Sequence, residues 1–292
     1  MNYYPLSSYL KDKFGEKVYK ITLDAGFTCP NRDGALSNSG CVFCDDGGSF
    51  SKAHSRHLSI QEQIQIGIKN QHERFGANKF MAYFQAFSNT YKPINELEKI
   101  YNDAVSQPQI VGISIGTRPD CVDVAKLDLI SSFVSNYETW IEYGLQTIHD
   151  KSLLWMNRGH NYKTFENTYF LTKEKGIKVC AHVILGLPTE TKDDMLKTAE
   201  KLAQLKVDGV KFHALCVMPN TPLEKMYNKG DINLLSEDEY VDIVCEFLKI
   251  LPANTIIHRL CGNGYSKTMI APLWLNNKWE THNKINSKLQ LI

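Results

Sequence analysis

Short apolar runs recur along the chain and alternate with segments of helical periodicity. The runs are rich in valine, isoleucine and aromatic residues, which is typical of strands buried on both faces of a parallel sheet. We therefore predict seven strands, at Val18–Ala25, Lys79–Phe84, Gln109–Gly116, Thr139–Leu145, Lys178–Leu185, Gly209–Val217 and Thr255–Cys261.

Helices are predicted between these strands. Two begin at capping boxes, one formed by Ser59 and Glu62 and the other by Ser236 and Glu239. The remaining helices are predicted from Pro93 onward and at Val122–Val134, Thr164–Lys175 and Lys192–Leu205. The alternation of strand and helix predicts an α/β fold with a parallel sheet and right-handed crossovers.

Polar motifs follow six of the predicted strands. Each motif taken alone is an ordinary turn, but together they mark one edge of the sheet, because the carboxyl ends of parallel strands lie side by side. In β/α barrels this edge carries the active site. The motifs begin at Cys29, Gln85, Thr117, Gly144, Gly186 and Met218.

Charge and composition exclude several classes of protein. The net charge of +1 over 292 residues argues against a surface dominated by attraction to nucleic acid, although a local basic patch is compatible with it. No apolar run is long enough to cross a bilayer, and the amino-terminal segment lacks the apolar core of a signal peptide. We predict a cytoplasmic protein with one catalytic domain over residues 1–262 and a carboxy-terminal extension over residues 263–292.

Eight cysteines in a reducing compartment are not expected to form a disulfide framework. Cys29, Cys41 and Cys44 share one polar, glycine-bearing segment, GFTCPNRDGALSNSGCVFC, whereas the others lie singly and are predicted to be mostly core residues. Three thiolates suit a four-iron cluster with one open iron. They equally suit a zinc site that His54 or His57 would complete, and the spacing alone does not choose between them.

The chain resembles the radical S-adenosylmethionine (SAM) superfamily over nearly its whole length. Its eleven-residue gap between the first two cysteines departs from the common three-residue form and is similar to the branch that contains the Elongator catalytic subunit and a related bacterial subfamily. The resemblance is carried by FGEKVYKITLDAGFTCPNRDG, CVFC, YFQAFSNTY, GTRPDC, EYGLQT, MNRGH, HVILGLPTET, IIHRL and APLW. It implies a partial (β/α)6 barrel in which Cys29, Cys41 and Cys44 hold a [4Fe-4S] cluster.

The same resemblance implies a set of SAM contacts. Arg158 would bind the carboxylate, and a solvated surface arginine is the alternative. Glu142, Gln146 and His182 would lie near the ribose, although Glu142 could be a structural ion-pair partner and His182 a core histidine. The superfamily often binds the SAM amino group with a Gly-Gly-Glu motif, which this chain lacks. The remaining expected contacts are Gln85, Ser88 and Asn89 for the amino group and Ile184, Val217 and Met218 for adenine.

For function, the resemblance implies radical chemistry on tRNA, converting a carboxymethylaminomethyl group at C5 of the wobble uridine to an aminomethyl group. An electron donor such as flavodoxin or ferredoxin is then expected. Residues 262–279 are predicted to cover the barrel mouth. A radical SAM enzyme for a small molecule or peptide and a non-enzymatic zinc protein are the alternatives. Candidate substrate contacts are Arg118, Asp120, His213, His258, Arg259 and Trp274.

Overall fold

The computed structural model describes residues 3–45, 47–48, 57–262 and 269–291. One parallel sheet of eight strands lies at its centre, in the order β1-β8-β7-β6-β5-β4-β3-β2. The strands are β1 (Tyr4–Pro5), β2 (Val18–Leu23), β3 (Lys79–Phe84), β4 (Ile110–Thr117), β5 (Glu138–Gln146), β6 (Lys178–Leu185), β7 (Gly209–Ala214) and β8 (Ile256–Arg259).

The seven predicted strands correspond to β2–β8, and the α/β partial-barrel class is confirmed. The sheet carries one strand that was not predicted, β1, which pairs in parallel with β8 through Tyr4 and Ile256. With only two residues, β1 is too short to show a hydrophobic period.

Ten α-helices lie within the described residues. Both predicted capping boxes are present, at the starts of the second and ninth helices. The helices are α1 (Leu6–Phe14), α2 (Ile60–Phe75), α3 (Ile94–Ala104), α4 (Val124–Ser131), α5 (Asp150–Trp155), α6 (Tyr162–Glu174), α7 (Lys192–Leu205), α8 (Pro222–Lys229), α9 (Glu237–Ile250) and α10 (Lys278–Gln290).

The sheet is strongly curved. Lys20 of β2 and His258 of β8 both reach the carboxylate of Glu142 on β5, at 2.6 Å and 3.3 Å. In a flat sheet β2 and β8 would be roughly 29 Å apart, since neighbouring strands are separated by about 4.8 Å. The strands therefore curl into an open barrel whose inner face converges on Glu142, while β1 and β2 form its two edges.

Packing fixes the segment that follows β2. A buried apolar cluster joins Val42 of this segment to Leu153, Met156, Ile184 and Leu223. The backbone amide of Val42 also donates to the carbonyl oxygen of Met156 at 3.1 Å. The cysteine-bearing segment is thus held against the barrel by both apolar and backbone contacts.

The described part of the carboxy-terminal extension packs against the segment that follows β7 and against α9. Ala271 forms an antiparallel bridge with Val217, and the hydroxyl of Thr281 on α10 donates to Glu237 of α9 at 2.6 Å. Residues 263–268, within the predicted cover, lie outside the described residues. Among the described helices, none is long and apolar enough to span a membrane.

Candidate active site

A cavity of about 480 Å³ opens at the carboxyl ends of the strands. Its volume is in the range typical of small-molecule sites. The predicted site residues that line it are Cys29, Cys41, Cys44, Gln85, Ser88, Arg118, Glu142, Gln146, Arg158, His182, Ile184, His213, Met218 and Arg259.

The cysteine loop returns on itself through tight turns. The carbonyl oxygen of Cys29 accepts from the amide of Arg32 at 2.8 Å, and that of Cys41 accepts from the amide of Cys44 at 3.0 Å. Gly40, between them, has a φ of 71°, a left-handed conformation that favours glycine. These turns bring Cys29, Cys41 and Cys44 to one wall of the cavity.

Cationic and amide groups surround the thiols. Arg158 and Asn31 each donate to the sulfur of Cys41 at 3.6 Å, and Arg32 donates to the sulfur of Cys44 at 3.5 Å. Burial and the neighbouring Cys41 raise the pKa of Cys44 to about 11, against the opposing effect of Arg32. The buried thiolate form therefore requires a further positive partner, which a metal centre supplies.

The spacing of the thiols bears on the kind of metal centre. Of the described residues, only Glu142, Cys180 and His258 bring three potential ligand atoms within 4.8 Å of one another. Sulfurs around a single zinc ion lie closer than that, since each Zn–S bond is about 2.3 Å. At least one pair of the three cysteine sulfurs is therefore more than 4.8 Å apart, which is wider than the separation of two thiolates bound to one zinc ion. His54 lies outside the described residues, and His57 is exposed.

The guanidinium of Arg158 lies beside the cysteine wall. Its Nη2 and Nε donate to the carbonyl oxygen of Gly144 at 2.7 and 3.3 Å, while Nη1 faces Cys41. Only 8 % of the residue is exposed, so it is not a solvated surface arginine. Within the described residues it has no carboxylate partner, and it therefore suits an anionic ligand beside the cluster.

Two further features favour a bound polar cofactor. Gln146, next to Arg158 at the end of β5, has a φ of 76°, and backbone strain of this kind clusters at functional sites. The Nε and Nη2 atoms of Arg118 donate to the carboxylate of Asp120 at 2.9 and 2.7 Å. Its Nη1 atom is buried and has no hydrogen-bond partner among the described residues. An unpaired buried donor on a cavity wall is satisfied by a polar ligand.

Some predicted contacts do not line the cavity. Asn89 is buried and donates to the carbonyl oxygen of Gly116 at 2.7 Å, and Val217 is fully buried beside Ala271. The carboxylate of Asp120 forms an ion pair with Arg118. The ring of His258 is buried and packs against Glu142 and Trp140. Trp274 donates its indole N–H to the carbonyl oxygen of Leu235 at 3.0 Å, while its neighbour Leu275 lines the cavity.

The fully buried carboxylate of Glu142 organises the cavity floor. It accepts from Lys20 at 2.6 Å, from Lys211 at 2.9 Å and from Ser114 at 2.7 Å, and Nε2 of His182 lies 2.7 Å away. Burial favours its neutral form, but the charges of Lys20 and Lys211 outweigh this and hold its pKa well below the usual range. Glu142 is therefore an ionised structural partner on the cavity floor.

The histidines on this floor are neutral near pH 7. Burial, assisted by the charge of Lys211, lowers the pKa of His182 to about 3, and burial with Lys20 lowers that of His258 to about 4. Burial and Arg259 lower the pKa of His213 well below its usual value. Burial also lowers the pKa of Lys211 to about 8, against the attraction of Glu142.

Several residues of the site were not predicted from the sequence. They include Asn31 and Arg32 in the cysteine loop, and Lys20, Tyr83 and Lys211 on inner strand positions. Cys216, predicted as a core residue, is half-buried and lines the cavity. A charged residue inside an apolar parallel strand is the signal that could have found Lys20 and Lys211, because such a strand buries both of its faces.

An open parallel barrel with three cysteines and the buried guanidinium of Arg158 at its carboxyl edge defines a β/α-barrel enzyme with a cofactor site. The Radical SAM superfamily profile matches residues 34–202, and the Radical_SAM C-terminal domain matches residues 207–290. The chain therefore belongs to the radical SAM superfamily. Enzymes of this family use a [4Fe-4S] cluster and SAM, so the chain is such an enzyme and the zinc-protein alternative is set aside.

Two relatives illustrate what the chain is similar to. It is 41 % identical over 289 residues to uncharacterized protein YtqA of Bacillus subtilis, covering 99 % of this chain and 89 % of that protein. It is 28 % identical over 162 residues to tRNA uridine(34) acetyltransferase of Methanocaldococcus jannaschii, covering 54 % of this chain and 29 % of that protein.

A solved structure shares the fold. The Elp3 protein of Methanocaldococcus infernus, with residues 1–46 deleted, superposes with a TM-score of 0.68 at 18 % identity. The match covers 93 % of this chain and 63 % of that chain. At this level of identity the likeness concerns the barrel architecture alone.

Proposed function

We propose that Cys29, Cys41 and Cys44 each bind one iron of a [4Fe-4S] cluster and leave the fourth iron for SAM. The observation that supports this is that the three thiols open onto the same cavity as Arg158 and Gln146. When bound, the cluster and SAM supply a 5′-deoxyadenosyl radical that abstracts a hydrogen atom from the substrate.

The chain's own groups hold SAM in this proposal. Arg158 binds its carboxylate, because its guanidinium is buried beside Cys41. Gln146 donates to the ribose, and Ile184 and Met218 present apolar surface to adenine. Gln85 and Ser88, which line the cavity at the end of β3, lie where the SAM amino group requires acceptors.

The proposed substrate is the wobble uridine of tRNA. The enzyme would convert the carboxymethylaminomethyl group at C5 to an aminomethyl group. The bond between the side-chain nitrogen and the carboxymethyl carbon would break, with SAM as the net two-electron oxidant, water adding to that carbon and the two-carbon unit leaving as glyoxylate. One support is the similarity to a protein named for its action on tRNA uridine 34. A second is that Phe43 and Phe87 are half-buried on the cavity wall, where aromatic rings can stack on an extruded base. A flavodoxin or ferredoxin would supply the electron.

Nucleoside analysis tests the substrate. A strain lacking the protein should accumulate tRNA with the carboxymethylaminomethyl group and lack the aminomethyl product. Complementation with the native gene should restore the product, whereas the Cys44→Ala variant should not. An unchanged wobble-nucleoside profile would remove the tRNA assignment and favour a small-molecule or peptide substrate for the same radical chemistry.

A further inference from the structure

Three side chains with hydrogen-bond donors project from β7 and β8 into the cavity. Lys211 and Arg259 are paired across the two strands, and His213 lies two residues beyond Lys211 on the same face. Nη2 of Arg259 lies 2.6 Å from Nδ1 of His213. We call Lys211, His213 and Arg259 the inner donor group.

Cations outnumber carboxylates on this part of the cavity floor. Lys20, Lys211 and Arg259 carry three positive charges, and Glu142, which bonds both lysines, carries the one negative charge among these four residues. Three minus one leaves an excess of two. Asp45, at the end of the cysteine loop, is a second carboxylate that lines the cavity. Within the described residues, Arg259 has only the His213 ring and the carbonyl oxygen of Phe212 as polar partners. A partly buried guanidinium without a carboxylate partner among the described residues is suited to bind an anion.

The inner donor group also has hydrogen-bonding capacity left over. Lys211 uses two of its three ammonium hydrogens, on Tyr83 at 2.5 Å and on Glu142 at 2.9 Å. Arg259 uses Nε and one Nη2 hydrogen within the described residues. Nδ1, the nearer ring nitrogen of His213, accepts from Nη2 of Arg259, and Nε2, which lies 3.2 Å from the same Nη2, carries the proton of the neutral ring. A carboxylate, which only accepts, matches such a set of donors.

We propose that the inner donor group is the binding site for a carboxylate of the substrate. This rests on the proposed function, in which the carboxymethylaminomethyl side chain supplies that carboxylate and the aminomethyl product lacks it. The site is distinct from Arg158, which contacts Cys41 and lies in the segment between α5 and α6. The inner donor group would thus bind the carboxylate, which the substrate has and the product lacks.

The test compares two anticodon stem-loop RNAs that differ only in the wobble side chain, carboxymethylaminomethyl or aminomethyl. The cluster-loaded enzyme with SAM should bind the first about tenfold or more tightly than the second, as expected for hydrogen bonds to a charged group. Arg259→Gln should bring this ratio close to one. The same substitution at the exposed Arg74 on α2 should leave the ratio unchanged.

Three outcomes would overturn the proposal while leaving the wobble-uridine function in place. The ratio could survive in Arg259→Gln, or the variant could lose affinity equally for both RNAs, which indicates a phosphate contact. Iron content and SAM affinity of Arg259→Gln should match the native enzyme. A loss of SAM affinity would instead assign Arg259 to the cofactor and would also overturn the proposal.

The tRNA substrate proposal would be wrong if the native enzyme neither distinguishes the two RNAs nor turns over the first. In that case the carboxylate site can still be tested with a small molecule. Sarcosine carries the same secondary amine and carboxylate, and dimethylamine lacks the carboxylate. Calorimetric titration should show that the native enzyme binds sarcosine but not dimethylamine, and that Arg259→Gln binds neither. Equal sarcosine affinity in the two proteins, or none in either, would refute the carboxylate site.

Discussion

The ammonium of Lys20 lies 2.6 Å from the carboxylate of Glu142, although 122 residues separate them along the chain. The Glu142 side chain is fully buried and the Lys20 side chain is 23 % exposed. A pair of this kind stabilises the fold only while both partners are present, because removing one leaves a buried charge without compensation. The carboxylate of Glu142 compensates two cations, because Lys211 forms an ion pair with it as well.

Replacing Glu142 should therefore destabilise the barrel. Glu142→Gln keeps the shape of the side chain but removes the charge that compensates Lys20 and Lys211. We expect the free energy of unfolding to fall by about 3–5 kcal/mol, measured by urea denaturation under anaerobic conditions. Glu98→Gln, at an exposed position on α3, is the control and should change stability by less than about 0.5 kcal/mol. A change below 1 kcal/mol in Glu142→Gln would contradict the structural role.

The cysteine loop predicts the metal content. Anaerobically reconstituted protein should be brown, hold close to four irons per chain and cleave SAM under reducing conditions. Cys29→Ala, Cys41→Ala and Cys44→Ala should each abolish SAM cleavage and lower the iron content. Cys245→Ala is the matched control, because Cys245 is buried on α9, where its sulfur faces the carbonyl oxygen of Ile285. A colourless protein with one tightly bound zinc ion would refute the cluster assignment.

Arg158 is predicted to govern SAM affinity. Arg158→Gln removes a charge-assisted contact worth about 1.5–3 kcal/mol, so the dissociation constant for SAM should rise by roughly 10-fold to 150-fold. Iron content should stay near that of the native protein, because the three cysteines remain. Equilibrium binding of SAM to the reconstituted variant is the measurement, with Arg74→Gln as the control. Unaltered affinity would assign Arg158 to holding Gly144 and Cys41 in place.

Sequence patterns found the seven longer strands because each is an apolar run of clear length. They did not find α10, which buries only Thr281, Ile285 and Leu289 on an otherwise polar surface. A helix with so narrow an apolar stripe shows little periodicity in a polar sequence. The helices α1, α5 and α8 were also not predicted, and α5 spans only six residues.

The site divides in a similar way. Motifs at strand ends located the cysteines and Gln146, because their position follows from the order of strands, whereas Arg158 was assigned from the family resemblance of its segment between α5 and α6. The partners of Glu142 could not be assigned from the sequence, since Lys20 and His258 meet only when the sheet curls. Predicting which inward residues touch requires the curvature of the barrel, and local sequence does not encode that.

The neutral His182 predicts a pH effect on stability. Its pKa of about 3 in the folded protein lies below the ordinary value near 6.5, so below pH 6.5 the unfolded chain binds more protons and stability falls as pH falls. Between pH 7.5 and 5.5 this one ring should cost about 1.4 kcal/mol. The side chain in His182→Gln can still donate to Glu142 but does not titrate. The free energy of unfolding of this variant should therefore fall by about 1.4 kcal/mol less than that of the native protein over the same pH interval. Urea denaturation at both pH values measures the difference, and parallel losses in the two proteins would contradict the assignment.

The pairing of β1 with β8 sets the earliest time at which this edge of the sheet can form during synthesis. Tyr4 is synthesised 252 residues before its partner Ile256. At about 5–20 residues per second, the amino-terminal strand waits roughly 13–50 seconds for its neighbour. Contacts this distant in sequence form late, because closing the intervening loop costs entropy before any contact repays it. The edge of the barrel beside β8 is therefore completed only after Ile256 has been synthesised, so until then β1 has no neighbouring strand.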